Sequence, residues 1–154
     1  MKKKAEKEFV KISKPGFYLL SFTWGSVLTA LGLLVSVLML LTGHKPKKWG
    51  YSWYFEVGKK DWGGCEWGPV FIKDKSEGDH LKNHEFGHGI QNCFFGPFMI
   101  FLVSMPSSIR YWSRRIRLKL KKPLKTAYDD IWFEGQATRL GTEKMKYIRE
   151  KDAT

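Results

Sequence analysis

The sequence predicts a mainly α-helical membrane protein with a small β-hairpin or sheet, and three observations lead to it. Residues 17–42 carry no charged side chain, and at about 1.5 Å per residue such a run outreaches a hydrocarbon layer of roughly 30 Å. Residues 89–109 are uncharged as well. Between them, residues 49–57 and 65–72 are rich in aromatic and β-branched side chains and are parted by a glycine-containing break, the pattern of two strands joined by a loop.

In chain order, residues 1–16 form a basic tail with Lys2, Lys3, Lys4, Lys7, Lys11 and Lys14, closed by Pro15 and Gly16. Residues 17–43 read as a transmembrane helix. The run is too long for the apolar core of a signal peptide, and no small-residue cleavage site follows it. Gly25, Ser26, Ala30, Gly32 and Ser36 offer small surfaces for a second helix. Residues 44–75 form the aromatic-rich hairpin region, suited to a membrane interface, with Pro69 expected at an edge or strand start. Residues 76–109 hold a helix and an apolar segment that either crosses the membrane or re-enters. Ser76 with Asp79 three places later has the capping-box form and marks that helix's start. Residues 110–127 mix Arg110, Arg114, Arg115, Arg117 and several lysines with Tyr111, Trp112, Ile116 and Leu118, which suits an interfacial helix on anionic lipid headgroups. Residues 128–154 give a final helix and tail.

A chain of 154 residues has room for one domain. Its net charge of +12 would suit nucleic acid in a soluble protein. Here most of the cations flank apolar runs, where they orient a membrane protein and touch lipid, so lipid is the expected partner and nucleic acid is not. Two cysteines, Cys65 and Cys93, make no disulfide framework and read as packed thiols. So few spans also make self-association into a homo-oligomer an open option.

The chemistry concentrates in His84-Glu85-Phe86-Gly87-His88, an H-E-x-x-H sequence. On a helix His84 and His88 lie one turn apart on one face and can share a Zn²⁺. Glu85 beside them is placed to take a proton from a water that the metal has made acidic, the hydrolytic half of a metallopeptidase. A catalytic zinc needs a third protein ligand, and residues 128–140 read as a second helix in which Glu134 follows aromatics and precedes small residues.

That pair of helices resembles the gluzincins, and Phe133-Glu134-Gly135-Gln136-Ala137 is similar to the glutamate helix of small integral-membrane members of that group, among them the CAAX-processing proteases. The resemblance implies a minigluzincin-like fold, zinc on His84, His88 and Glu134, acid–base work by Glu85 and a peptide or protein substrate. Gly135 and Thr138 stand where that pattern usually has Ala and Asp, which leaves one histidine's supporting carboxylate unassigned and keeps Asp129 and Asp130 open as substitutes for Glu134. His80, Tyr128 and Arg139 are further candidates as supporting groups or transition-state donors. Gln91 and Asn92 read as groups that satisfy backbone near a bend.

Topology sets these expectations against each other. If residues 89–109 cross the bilayer, the histidines and Glu134 emerge on opposite faces and cannot share an ion. A re-entrant bend at Gly96 and Pro97, or a compact monotopic arrangement, removes the conflict. Basic residues at both ends place both in the cytoplasm by the positive-inside rule, and the stronger C-terminal cluster puts the catalytic side of an inner-membrane protein there. The competing functional class is a non-catalytic membrane protein that binds lipid or a partner through its aromatic sheet and basic helix.

Overall fold

The computed structural model describes residues 3–58 and 62–153. Three helices open it: α1 (Lys3–Val10), α2 (Lys14–Phe22) and α3 (Ser26–Leu41). Pro15 lies in the first turn of α2, and the Ser13 hydroxyl caps that turn by accepting from the Gly16 amide at 3.2 Å.

The uncharged run 17–42 is therefore not the single helix its composition predicts. It breaks at residues 23–25, where the axis turns by 96°. Among the described residues, no single helix is long and apolar enough to cross a membrane. The cause of the break is polar and distant in sequence. Asn92 Nδ2 donates to the Gly25 carbonyl at 3.2 Å, and the Thr29 hydroxyl lies 2.7 Å from the Ser21 carbonyl. Backbone acceptors freed by the bend thus find donors inside the protein, which an uninterrupted helix would not need.

Four short strands follow: β1 (Lys47–Trp49), β2 (Ser52–Glu56), β3 (Gly64–Trp67) and β4 (Val70–Lys73). Each aromatic stretch is a hairpin rather than one strand. Trp49 faces Ser52 and Trp67 faces Val70 across two-residue turns that begin at Gly50 and Gly68, both with positive φ. Pro69 sits in the second turn, directly before β4. The sheet is mixed, in the order β1-β2-β4-β3, with β2 and β4 parallel.

Helix α4 (Asp79–Phe95) carries the H-E-x-x-H sequence in its second and third turns. Gly78, not Ser76, is its N-cap. Asp74 competes for Ser76, whose amide and hydroxyl both bond Asp74 Oδ1, at 2.8 and 2.7 Å. Residues 84–93 are buried all round, so α4 is the central helix. Phe86, Ile90 and Cys93 pack with Val10, Phe17, Leu140 and Met145 in the main core.

Gly96, at φ +55°, ends α4. Pro97 then starts a 3-10 turn (Gly96–Phe98), a π turn spans Ile100–Ser104, and α5 (Met105–Lys119) runs off at 116° to α4. This is the bend expected at Gly96 and Pro97. It lets Met99 and Val103 join Leu28 and Phe133 in a second apolar cluster. Helix α5 buries none of its residues. A 3-10 turn (Tyr128–Asp130) leads into α6 (Trp132–Asp152), which lies against α4.

Candidate metal centre

The closeness of α4 and α6 comes from two glycines. A Cβ at Gly87 would lie 1.8 Å from the Ala137 carbonyl oxygen, and one at Gly141 would lie 1.7 Å from that of Asn83. No other residue permits so tight a crossing. Across it, His84 and His88 meet Glu134.

His84 Nε2 and His88 Nε2 lie 3.1 and 3.2 Å from Glu134 Oε2 and 3.1 Å from each other. All three side chains are buried, Glu134 completely. These distances are close to the edge of a tetrahedron with bonds of about 2.0–2.1 Å, roughly 3.3 Å, the spacing of donors around one zinc.

The surrounding hydrogen bonds decide what these atoms can do. Gln91 Nε2 donates to the Phe133 carbonyl and to Gln136 Oε1, at 2.9 and 2.8 Å, so Gln91 Oε1 is the atom facing His88 Nδ1 at 2.8 Å. A carbonyl oxygen only accepts, so Nδ1 of His88 carries the proton. Thr138 donates its single hydroxyl proton to Asp129 Oδ2 at 2.9 Å and therefore accepts from His84 Nδ1 at 2.8 Å. In the neutral rings both Nε2 atoms are then bare lone pairs, aimed with a carboxylate oxygen at one buried point.

With both Nε2 atoms bare, three acceptors meet at one point and call for a cation, a proton on His88 Nε2 when no metal is bound or a metal ion in its place, and the donor set of two imidazoles and one carboxylate suits zinc. Glu134 Oε1 is buried and without a partner, which leaves it free to turn toward an ion. The pull on positive charge also shows in proton affinities. Burial opposes a charged His88, but Glu134 outweighs it and the ring is pushed up to about 9. Burial likewise opposes ionisation of Glu134, yet hydrogen bonds with His84 and His88 hold its carboxyl well below the usual range.

Glu85 is buried beside the histidines, its carboxylate against the backbone of β3: a Cβ at Gly64 would be 2.6 Å from Oε1. Burial raises its pKa, against the pull of His84 and His88. A raised carboxyl is a stronger proton acceptor than an ordinary one.

The remaining candidates divide. Tyr128 lies beside the cluster, its ring centroid 6.1 Å from that of His84 and its hydroxyl 3.2 Å from the Ser107 hydroxyl. Asp129 supports His84 through Thr138, with its own Oδ1 4.0 Å from His84 Nδ1, instead of replacing Glu134. Asp130 accepts the Ala127 amide at 2.7 Å and takes no part. His80 is exposed, 3.9 Å from Asp129. Arg139 points to Glu6 on α1 at 3.6 Å and supplies no donor to the cluster.

Sequence reasoning missed two groups that orient the ligands, Thr138 and Gln91, and one neighbour of the centre, Glu66. Thr138 stands one turn beyond Glu134, and Gln91 three residues beyond His88, so helical spacing alone could have placed each beside its neighbour. Asn92 does bond backbone near a bend, as expected, but Gln91 orients a histidine. Glu66 on β3 is 8% exposed, and burial pushes it up to about 8, against the pull of His88 and with Glu85 adding to the rise. It had no local signal beyond its place in a strand.

Comparison with known families, with curated proteins and with solved structures yields no match for this chain.

Proposed function

We propose that the protein is a zinc-dependent hydrolase of the minigluzincin kind, a peptidase acting on chain close to a bilayer. The observation that carries this reading is the convergence of His84 Nε2, His88 Nε2 and Glu134 Oε2 on one buried point, with both Nδ1 protons committed elsewhere. When bound there, a zinc ion supplies Lewis acidity, bringing the pKa of water near 7 and polarising a carbonyl.

The chain's own residues do the rest. Thr138 with Asp129, and Gln91 with Gln136, hold the two rings in the ligating tautomer. Glu85 accepts the proton from the attacking water and passes it to the leaving amine. Tyr128 lies where it can steady the developing oxyanion. Strand β3 packs on α4 beside Glu85 and, among the described residues, pairs with a strand on one side only, so an extended peptide can add to its other edge as a further strand.

Lipid is the proposed surrounding. Val27, Leu31, Leu34, Leu38 and Leu41 are exposed on α3, as are Phe98, Phe101, Ile109, Trp112 and Ile116 near and along α5, with basic residues close by. Because both apolar runs are bent, such a surface can enter a bilayer from one side, in keeping with anionic headgroups and a cytoplasmic catalytic face.

The test is metal content with activity. Purified protein is expected to hold about one equivalent of zinc by elemental analysis and to cleave internally quenched peptides in detergent micelles. Glu85→Gln should keep the zinc and lose the cleavage, and His84→Ala should lose both. Unmutated protein that neither carries zinc nor takes it up overturns the proposal.

A further inference from the structure

Among the described residues, Glu66 is the one buried carboxyl near the centre that the proposed chemistry does not use. Three observations fix where it points. Side chains two apart on a strand share a face. The Cβ direction of Gly64 meets Glu85 Oε1 at 2.6 Å, so this face of β3 lies on α4. At the strand's far end, a Cβ on Gly89 would meet the Gly68 carbonyl at 2.8 Å. Glu66 therefore projects between Glu85 and Gly89, toward the turn of α4 that carries His88.

Its surroundings do not account for it. Glu66 is 8% exposed and its Oε1 has no hydrogen-bond partner. Nor does it join the metal ligands, for the set whose donor atoms lie within 4.8 Å of one another is His84, His88 and Glu134. The unsatisfied oxygen sits on the edge strand along which a peptide would lie. The Gly68 backbone serves the Glu66 carboxyl, but a buried Oε1 left without a donor of its own is costly, and an incoming N–H donor, above all a charged one, would satisfy it.

We infer that Glu66 is a specificity-determining residue that receives a primary ammonium group of the substrate, either the free N-terminal amine or a lysine side chain. The inference rests on the peptidase reading for its kinetic arm and on Glu66 alone for its binding arm. A charge-assisted hydrogen bond of this kind is worth about a ten- to hundredfold preference.

The kinetic arm compares zinc-loaded wild type and Glu66→Gln on four matched quenched peptides, with the N-terminus free or acetylated and with or without a lysine. Wild type should favour the cationic members ten- to hundredfold in kcat/KM, the pair that responds naming the source of the ammonium. Glu66→Gln should shrink that ratio to about threefold or less while keeping its zinc and its rate on the uncharged peptide. The binding arm uses thermal shift. Leucinamide and N-acetyl-lysine methylamide offer the two kinds of amine, and N-acetyl-leucinamide offers neither. One of the cationic compounds should raise the melting temperature of wild type by a few degrees but not that of Glu66→Gln.

An unchanged preference in Glu66→Gln, an equal loss on all four peptides, or a stabilisation by cationic compounds that survives the substitution overturns the inference. If no peptide is cleaved while the Glu66-dependent stabilisation remains, the peptidase reading fails and the ammonium site stands.

Discussion

Gly87→Ala is the sharpest probe of how the metal centre is assembled. The added methyl would sit 1.8 Å from the Ala137 carbonyl oxygen, a backbone atom that no rotamer change can move aside. Carbon and oxygen approach no closer than about 3.3 Å, so α4 and α6 must part by on the order of 1 Å. The ligand atoms of the two helices, now 3.1–3.2 Å apart, would open by a similar amount, whereas coordination tolerates about 0.2 Å. Alanine gains up to about 1 kcal/mol of helix propensity over glycine, but overpacking costs typically about 1–3 kcal/mol and here strikes backbone, so the clash wins. Zinc affinity, measured by competition with a chromophoric chelator, should fall by more than about a hundredfold, with a lower melting temperature. Gly141→Ala, against the Asn83 carbonyl, should behave alike. Gly78→Ala, with nothing within 4 Å of the new methyl, should leave zinc affinity unchanged. A Gly87→Ala protein that binds zinc within threefold of wild type refutes the idea that this crossing sets the site.

Thr138→Val removes the acceptor for His84 Nδ1 while keeping the volume, and zinc affinity in the same competition assay should drop roughly 10- to 100-fold. Glu66 makes the zinc-free protein pH-sensitive. Its folded carboxyl titrates at about 8 against an ordinary 4.5, so above the ordinary value the folded chain keeps a proton that the unfolded chain has released. Stability should therefore fall as pH rises from 4.5 through 8, by up to about 4–5 kcal/mol from this group. Urea unfolding at pH 5 and 8 should show a smaller pH difference in Glu66→Gln. Gly96→Ala should lower stability by about 2 kcal/mol or more, since a side chain at φ +55° is strained and its Cβ would meet Trp24 Nε1 at 2.3 Å. Thermal unfolding measures it.

What could be read from the sequence was local. His84 and His88 announce themselves because one helical turn separates them, and Gly96 with Pro97 marks a bend through backbone chemistry alone. The glycines at positions 50 and 68 were also there to be read as hairpin turns, yet each aromatic stretch passed for a single strand because its composition is uniform. The break at residues 23–25 had no local sign. Every residue there is tolerated in a helix, and the group that stabilises the opening is Asn92, far along the chain. Ser76 shows the converse: its capping pattern is genuine, but Asp74 claims the hydroxyl first. Glu134 was reached through resemblance, whereas the Asp129–Thr138–His84 chain depends on a crossing geometry that only the packed helices display.

Two amides and a carboxylate tie the start of the described chain to the heart of the molecule: Glu6 accepts from Gln136, Gln136 from Gln91, and Gln91 from His88. Lys144 fastens the same N-terminal segment by donating to the carbonyls of Val10 and Ile12. Whatever unseats that first helix, a bulky fusion or a protease cut near residue 11, is therefore relayed to an imidazole more than seventy positions away. Residues 6–12, part of the stretch whose composition reads as a basic tail, act as a remote brace for a ring they never touch.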